Sequence, residues 1–201
     1  GLSEEGLSMW YYTDTQTGEE KTTTTYSTGD FYLCGDPNPD LYGGFGTSIS
    51  FHGFDFSTQF SYSVGGLTYD YAYAGMMGNP TATSVGNRWH KDVLKAWSPE
   101  NPSSTIPRWY FNDLNTTGSS DRFLIDGSYL NLQNIQVGYT LPNNWTSSLG
   151  IKNLRLYFVC DNVYYWSKRK GLDPRRSISG VGASGKIAPF RTYSGGISLQ
   201  F

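Results

Sequence analysis

The chain of 201 residues carries a net charge of −2, and only 37% of its residues are hydrophobic although 16% are aromatic. Such a weakly acidic chain lacks the basic surface that nucleic acids require, and no apolar stretch approaches the roughly 18 residues of a membrane-spanning helix. Many aromatic residues, together with 24 Gly and 9 Pro, are typical of pleated strands and turns. The composition therefore predicts an all-β protein without a nucleic-acid partner.

The first strongly patterned segment is a hairpin centred on His52 and Gly53. Ile49 and Phe51 precede this dipeptide. Apolar residues then follow it on one face of a second strand, namely Phe54, Phe56, Phe60, Tyr62 and Val64. Two alternating runs joined by two residues that include Gly predict a tight β-hairpin. We expect one or two further strands before Gly43.

A long segment, residues 65–122, separates this hairpin from the next patterned strand. Its alternation is confined to Leu67, Tyr69, Tyr71 and Tyr73, which predict a short strand. The rest contains four prolines and no sustained periodicity, so we interpret it as a loop.

Residues 129–141 form the next predicted strand. Ile135, Val137, Tyr139 and Leu141 lie on one face of this strand, whereas Leu130 and Leu132 are out of phase with them by one residue. A change of phase within one strand indicates an extra residue, so we expect a β-bulge near Asn134. The polar residues 142–151 that follow predict a short connector with a helical turn.

Two strands complete the chain. Residues 153–166 are apolar on both faces, which leaves the orientation of that strand open, and residues 167–189 form a loop rich in Gly, Ser, Lys and Arg. The closing segment, residues 191–201, alternates strictly and ends on Phe201. Its length matches the roughly 9 to 11 tilted residues with which a β-strand crosses a bilayer.

These elements are those of a membrane β-barrel, with short turns at one side and long loops at the other. We count about five or six strands, fewer than the about 8 of the smallest membrane barrels, so the chain is predicted to be part of a larger barrel. The alternative is a secreted carbohydrate-binding β-sandwich without transport activity. That alternative requires a second sheet of comparable apolar alternation.

Five sequence blocks give the chain a family resemblance. They read GDPNPDLYGGF at 35–45, followed by the His52-Gly53 hairpin, WSPENPSSTIPRW at 97–109, SDRFLIDGSYLNLQNIQVGYTLP at 120–142, NVYYWSKRKGLDP at 162–174 and PFRTYSGGISLQF at 189–201. In this order they resemble the C-terminal third of the SusC-like (SusC/RagA) TonB-dependent transporters of Bacteroidetes. Residues 5–12 also resemble the strand that precedes these blocks in the family.

The resemblance implies a fold and a setting. It implies that residues 1–201 are the C-terminal part of a large antiparallel transmembrane barrel of about 22 strands with long extracellular loops. The plug domain and the N-terminal strands would then be absent from this chain. The family resides in the bacterial outer membrane, is energised by TonB, is covered by a SusD-like lipoprotein and imports oligosaccharides or peptides.

The resemblance also implies roles for individual residues. Tyr193, Ile197, Leu199 and Phe201 resemble the terminal signal that outer-membrane assembly machinery reads. Four aromatic residues in the long loop are candidates for contact with a ligand or with the lipoprotein lid, namely Trp89, Trp97, Trp109 and Tyr110. The alternative for these rings is that they pack against one another, because a long ordered loop needs a small core of its own.

Other motifs do not support an enzyme or a cofactor. Cys34 and Cys160 have no C-x-x-C or His partner and are interpreted as unpaired thiols. Residues 180–185 match G-x-G-x-x-G but lie in a Ser-rich loop and not between a strand and a helix. Asp36, Asp40, Asp121 and Asp126 lack the spacing of a calcium loop and are interpreted as turn caps. We therefore expect no catalytic residue, no metal site and no cofactor.

Overall fold

The computed structural model describes residues 1–81, 86, 88–113, 118–169, 173–176 and 189–201. Its strands are β1 (Trp10–Thr13), β2 (Glu20–Thr23), β3 (Leu41–Phe51), β4 (Phe54–Val64), β5 (Leu67–Tyr69), β6 (Leu124–Asp126), β7 (Tyr129–Thr140), β8 (Asn153–Ser167) and β9 (Thr192–Gln200). Its α-helices are α1 (Tyr71–Met77) and α2 (Asn143–Thr146). Short 3-10 helices span Tyr26–Thr28, Lys91–Lys95, Asp121–Phe123, Ser147–Leu149 and Pro174–Arg176. None of the described helices has the length and apolar character needed to cross a membrane.

The main sheet has five antiparallel strands in the order β3-β4-β7-β8-β9. Each strand pairs with the patterned strand before or after it along the chain, which confirms the predicted succession of hairpins. The remaining described strands form two small sheets of two strands each, β1 with β2 and β5 with β6. The all-β prediction is therefore confirmed.

The predicted turn between β3 and β4 is confirmed. His52 has a φ of 47° and Gly53 a φ of 86°, and positive values at both central residues define the tight turn that matches the twist of paired strands. A Cβ at position 53 would lie 2.6 Å from the carbonyl oxygen of Thr140. Glycine is required there because the chain both turns and approaches β7 closely.

The predicted bulge in β7 is also confirmed. Between Leu132 and Asn134, β7 has one more residue than β4. At the same level β8 has one more residue than β7, and Asn162 in that stretch has a φ of 51°. The extra residue in β7 brings Leu130 and Leu132 onto the same face as Ile135, which explains the change of phase in the sequence.

Two expectations about the rest of the chain are wrong. Tyr71 and Tyr73 do not continue a strand; they lie in α1, because the buried carboxylate of Asp70 accepts a hydrogen bond from the backbone N–H of Tyr73 at 3.0 Å and caps the helix. The segment that resembled a preceding barrel strand contains β1, which pairs with β2 in a separate sheet and not with the main sheet.

The chain divides into two compact units. The loop unit comprises residues 1–35 and 69–124, and the sheet unit comprises residues 36–68 and 125–201. The loop unit is organised around Phe123, which is 4% exposed and lies near the rings of Tyr69 and Tyr73 at centroid distances of 6.0 and 6.1 Å. The sheet unit is a single layer of strands with a connector at one end, where α2 and the following 3-10 helix confirm the predicted helical turn.

Candidate functional site

One face of the main sheet is apolar along its whole length. The residues that share this face by register include Ile49, Phe51, Phe54, Phe56, Phe60, Ile135, Val137, Tyr139, Leu154, Leu156, Phe158, Ile197 and Leu199. Many of these side chains are exposed in the chain; Phe51 and Ile197, for example, are 70% and 66% exposed. Among the described residues only Phe123 and Cys160 are both hydrophobic and buried. An apolar surface of this extent is typical of a protein that faces lipid or a large partner.

The opposite face of the same sheet is polar. Its residues by register include Ser48, Ser50, Asp55, Ser57, Gln59, Ser61, Asn131, Asn134, Gln136, Arg155, Asp161, Ser194 and Ser198. The strand β8 departs from this pattern, since its Tyr157, Val159 and Tyr165 also lie on the polar face. A sheet with one apolar and one largely polar face is typical of a barrel wall between lipid and an aqueous lumen.

The sandwich alternative finds no support in this geometry. A sandwich would bury the apolar face of the main sheet beneath a second sheet of similar size. The other two sheets within the described ranges have strands of three or four residues, and the apolar face of the main sheet is largely exposed.

The closing strand β9 belongs to the apolar face. Tyr193, Ile197 and Leu199 are paired with Cys160, Leu156 and Leu154 of β8, and the ring of Tyr193 stacks on that of Phe158 at 6.1 Å. Phe201 follows the strand, is 72% exposed, and its carbonyl oxygen accepts a hydrogen bond from Lys152 Nζ at 3.1 Å. The structure thus brings three of the four predicted signal residues onto one face, while their role in assembly stays a prediction.

An ion pair crosses the polar face of the sheet between strands that are not neighbours. Arg155 of β8 donates two hydrogen bonds to Asp55 of β4, one of them from Nε to Oδ1 at 3.1 Å, and the pair spans Gly138 of the intervening strand β7. A Cβ at Gly138 would lie 2.4 Å from Asp55 Oδ1 and 2.6 Å from Arg155 Nη2. Gly138 is therefore what allows the two side chains to meet. Sequence reasoning missed this pair, whose partners are 100 positions apart.

A recess lies on the polar face beside the two bulges. It has a volume of about 430 Å³, and its lining includes Asn131, Gln133, Asp161, Asn162 and Arg175. Arg175 donates hydrogen bonds from Nε and Nη2 to the two carboxylate oxygens of Asp173, both at 2.7 Å. These bonds raise the pKa of the Arg175 guanidinium above its usual range and neutralise its charge locally. Sequence reasoning did not identify this recess, because it depends on the meeting of two bulges.

The aromatic residues of the long loop lie in the loop unit and make contacts there. The rings of Trp89 and Trp109 meet edge to face at 5.4 Å, and both indole N–H groups donate to the carbonyl oxygen of Gly78, at 3.1 and 3.3 Å. Trp97 packs on Gly6, where a Cβ would lie 2.4 Å from its ring, and Tyr110 is 63% exposed beside Arg108. These contacts order the loop, and contact of the four rings with a ligand or lid stays a prediction.

The strand-end aromatics Tyr164 and Trp166 lie on the apolar face near the end of β8. Their ring centroids are 4.8 Å apart in an edge-to-face arrangement, and both rings are about half exposed. Aromatic rings at the end of an apolar strand surface are typical of the girdle at a membrane interface.

The motifs considered for metals and cofactors have other roles where the structure describes them. Asp36 and Asp126 accept backbone hydrogen bonds from residues two positions later and form Asx turns, as predicted. Asp121 instead accepts the hydroxyl of Tyr32 at 2.8 Å, a bond that raises the pKa of Tyr32 to about 12. Cys34 and Cys160 are free thiols, as interpreted from the sequence. No cluster of metal-ligating side chains occurs in the part of the chain that the structure describes; the glycine motif at 180–185 lies outside it.

Known proteins resemble the chain over most of its length. No family model matches it. The TonB-dependent receptor P3 of Formosa agariphila is 31% identical over 185 residues, which cover 87% of this chain and 18% of that protein. The TonB-dependent receptor SusC of Bacteroides thetaiotaomicron is 28% identical over 181 residues, or 88% of this chain and 17% of SusC.

Solved structures agree on the fold. Two structures of the RagAB peptide transporter, one of them in a closed-closed state, superpose on the whole chain with TM-scores of 0.77 and 0.78 at 24% identity, over 22% of their own chain. At this identity the likeness shows the fold, which is that of antiparallel barrel strands.

The chain spans less than a fifth of the length of the curated relatives it matches. Those relatives are receptors and not enzymes, in agreement with the expectation from the sequence. The order of the sequence blocks, the two-faced antiparallel sheet and these matches agree with one another. The chain belongs to the SusC-like TonB-dependent receptors and corresponds to a C-terminal portion of their barrel.

Proposed function

We propose that this chain is part of the wall of an outer-membrane importer for oligosaccharides or peptides. The observation that carries the proposal is the five-stranded sheet with one apolar and one polar face. The apolar face would contact lipid, and the polar face would line the lumen through which the substrate passes. In this proposal residues 1–201 form the C-terminal part of the barrel, and the plug and remaining strands are supplied by the rest of the protein.

The proposed partners follow from the family. A SusD-like lipoprotein would cover the extracellular mouth, and TonB would act through the N-terminal part of the whole protein. Trp89, Trp97, Trp109 and Tyr110 are proposed contacts for the lid or the substrate. The exposure of Tyr110 and the partial exposure of Trp109 support this role for two of the four rings.

Expression of the full gene tests the barrel proposal. Membrane fractions are compared on gels with and without boiling, because a closed barrel resists the detergent until it is heated and then migrates differently. A heat-dependent shift of an outer-membrane band is expected. A protein found in the soluble fraction with the same migration under both conditions would contradict the proposal. Copurification with a SusD-like lipoprotein tests the lid separately.

We further propose that Tyr193, Ile197, Leu199 and Phe201 act as an assembly signal. Phe201 is exposed, and its side chain can be changed without opening a buried core. Replacing Phe201 with Asn should lower the amount of assembled protein while leaving import per assembled molecule unchanged. Surface labelling gives the assembled amount. Normal surface levels in the variant would contradict the signal role.

A further inference from the structure

Tyr157 lies between two glycines in one row across the polar face of the main sheet. It pairs with Gly138 of β7 on one side and with Gly196 of β9 on the other. In the sequence of β7 the only glycine is Gly138, and Gly196 is the only glycine among the polar-face residues of β9. Because neither glycine has a side chain, the row leaves space on both sides of Tyr157.

The ring of Tyr157 lies over β9. The space above Gly138 is filled by the ion pair of Asp55 and Arg155, and the Arg155 guanidinium carbon is 5.3 Å from the centre of the Tyr157 ring. A Cβ at Gly196 would lie 2.3 Å from the Cζ and hydroxyl oxygen atoms of Tyr157. Of the nine residues of β9, all of them described, Gly196 alone is half-buried and the others are exposed. The ring therefore covers Gly196.

The pairing of β9 with β8 has few other determinants. Residues 168–191 join the two strands, so no tight turn sets their register as the His52-Gly53 turn does for β3 and β4. A slip of one residue would turn the apolar side chains of β9 to the polar face, but a slip of two keeps every side chain on its own face. Hydrophobic alternation therefore does not distinguish the observed register from a slip of two.

The contact between Tyr157 and Gly196 does distinguish these registers. In the observed register Ser194 lies opposite Val159, and Ser198 lies opposite Arg155. A slip of two in either direction would place one of these serines opposite Tyr157. Each serine has a Cβ where the ring lies, so among the three registers only the observed one leaves room for the ring.

We infer that Tyr157 is a positioning residue for closure of the barrel: its ring selects the register in which the closing strand β9 pairs with β8. This role rests on the proposed function, because it takes the sheet to be part of a barrel wall. Aromatic rings packed over glycines help to pin the register of designed sheets. The stagger of the strands is linked to the size of a barrel, so the register of β9 bears on the width of the lumen.

Disulfide cross-linking of the full-length protein measures the register directly. The two native cysteines, which are free thiols, are first replaced with alanine. Val159→Cys with Ser194→Cys reports the observed register, whereas Val159→Cys with Thr192→Cys and Asp161→Cys with Ser194→Cys report the two slips. Diagonal neighbours are about 7–8 Å apart and bridge poorly, whereas directly opposite residues are within reach. Isolated outer membranes are reduced and then oxidised, and only molecules with the heat-dependent gel shift are counted.

Loss of the ring should allow slipped pairing. Tyr157→Ala should raise the ratio of slipped to observed cross-links by roughly fivefold, as expected for the loss of one aromatic cross-strand contact. Tyr157→Phe keeps the ring and should retain the ratio of the parent. Gly196→Ala should also raise the ratio, because its Cβ would overlap the ring in the observed register.

Matched controls separate register from general stability. Gly195→Ala makes the same change at the adjacent residue, where the nearest atom to a Cβ would be the Tyr157 carbonyl oxygen at 3.9 Å. Neither Gly195 nor Gly196 has a positive φ, so the backbone accepts alanine at both. Gly195→Ala should retain the cross-links of the parent. Combining Tyr157→Ala with Gly196→Ala should reduce assembly no further than Tyr157→Ala alone, because the overlapping ring is gone.

Two results would overturn the register role. One is a Tyr157→Ala protein that assembles in smaller amounts with the cross-link ratio of the parent, since Tyr157 would then stabilise the barrel without selecting the register. The other is an equal ratio in Gly195→Ala and Gly196→Ala, a comparison that also decides the matter if Tyr157→Ala does not reach the membrane. Both results leave the barrel proposal intact, whereas a parent protein without a heat-dependent gel shift would contradict the proposed function itself.

Discussion

The sheet unit and the loop unit of this chain are stabilised in different ways. In the sheet unit, the alternation of the strands places side chains on an exposed apolar face and a polar face. Among the described residues of this unit, Cys160 is the buried hydrophobic one. In the loop unit, a buried ring, Phe123, and local polar contacts such as the Asp70 cap organise short elements. The comparison indicates that the sheet unit depends on its surroundings for stability, whereas the loop unit carries a small core of its own.

The largest effect is expected from removal of the loop unit's core. Phe123→Ala should destabilise the loop unit by about 3–5 kcal/mol, because it empties a buried aromatic site. Hydrogen exchange of the segment Tyr71–Met77 is the measurement, since α1 lies beside this ring. The gel shift of the full-length protein should persist if the two units are stabilised separately. Loss of the barrel in this variant would contradict the comparison.

The next largest loss of stability is expected from a charge placed on the apolar face of the sheet. Val137→Arg places a charge on the apolar face, and near the middle of a bilayer it should cost about 2–4 kcal/mol. Ser57→Arg, on the polar face of the adjacent strand, is the matched change and should cost far less. Unfolding of the full-length protein in lipid vesicles by guanidinium gives both values. Equal costs for the two variants would mean that neither face contacts lipid.

The ion pair on the polar face gives a smaller effect. Gly138→Ala should destabilise the sheet by about 1–3 kcal/mol, because the new methyl group would overlap the Asp55 carboxylate and the Arg155 guanidinium. Asp55→Ala removes one of the overlapping groups, so the cost of Gly138→Ala should fall when the two changes are combined. Vesicle unfolding of the two single variants and the double variant measures this coupling. Additive costs would show that Gly138 is not needed for the pair.

The two units also differ in how well the sequence predicts them. Strands β4, β7 and β9 of the main sheet follow from alternation, and the change of phase between Leu132 and Ile135 was enough to locate a bulge. The strand β8 is apolar on both faces, so its orientation does not follow from the sequence. In the loop unit, Tyr71 and Tyr73 fit the alternation of a strand as well as the strand residues of the main sheet do. They form a helix because Asp70 caps it with a local hydrogen bond, and hydrophobic periodicity does not reveal such a bond. Residue propensity and hydrophobic periodicity therefore predict secondary structure poorly where a capping hydrogen bond determines the backbone conformation.

The candidate site was predictable only in outline. The polar face follows from alternation, so the sequence predicts a lumen wall once a barrel is assumed. The recess requires an extra residue in β7, Gln133, at the level where Asn162 and Val163 of β8 lie opposite it. The ion pair requires Asp55 and Arg155 to meet across Gly138. Both depend on register between strands, which a single sequence does not specify at the level of one residue.

The smallest expected effect concerns the pH dependence of the loop unit. Asp92 accepts a hydrogen bond from the Tyr73 hydroxyl at 3.0 Å, and this bond, followed by that from Lys95, holds the pKa of the carboxyl below its usual range. A carboxyl with a lowered pKa in the folded state stabilises the fold above its unfolded pKa of about 3.9, and the stabilisation is lost as the pH falls through the lower, folded value. Tyr73→Phe removes the bond and, by that reasoning, should speed exchange in Lys91–Lys95 at pH 6. The difference in exchange rate between the variant and the parent should shrink below about pH 4.

Tyr110→Phe, which changes an exposed hydroxyl elsewhere in the loop unit, is the control and should show no such pH dependence. A difference that stays constant from pH 6 to acid would mean that the Tyr73 ring and not its bond to Asp92 stabilises this segment.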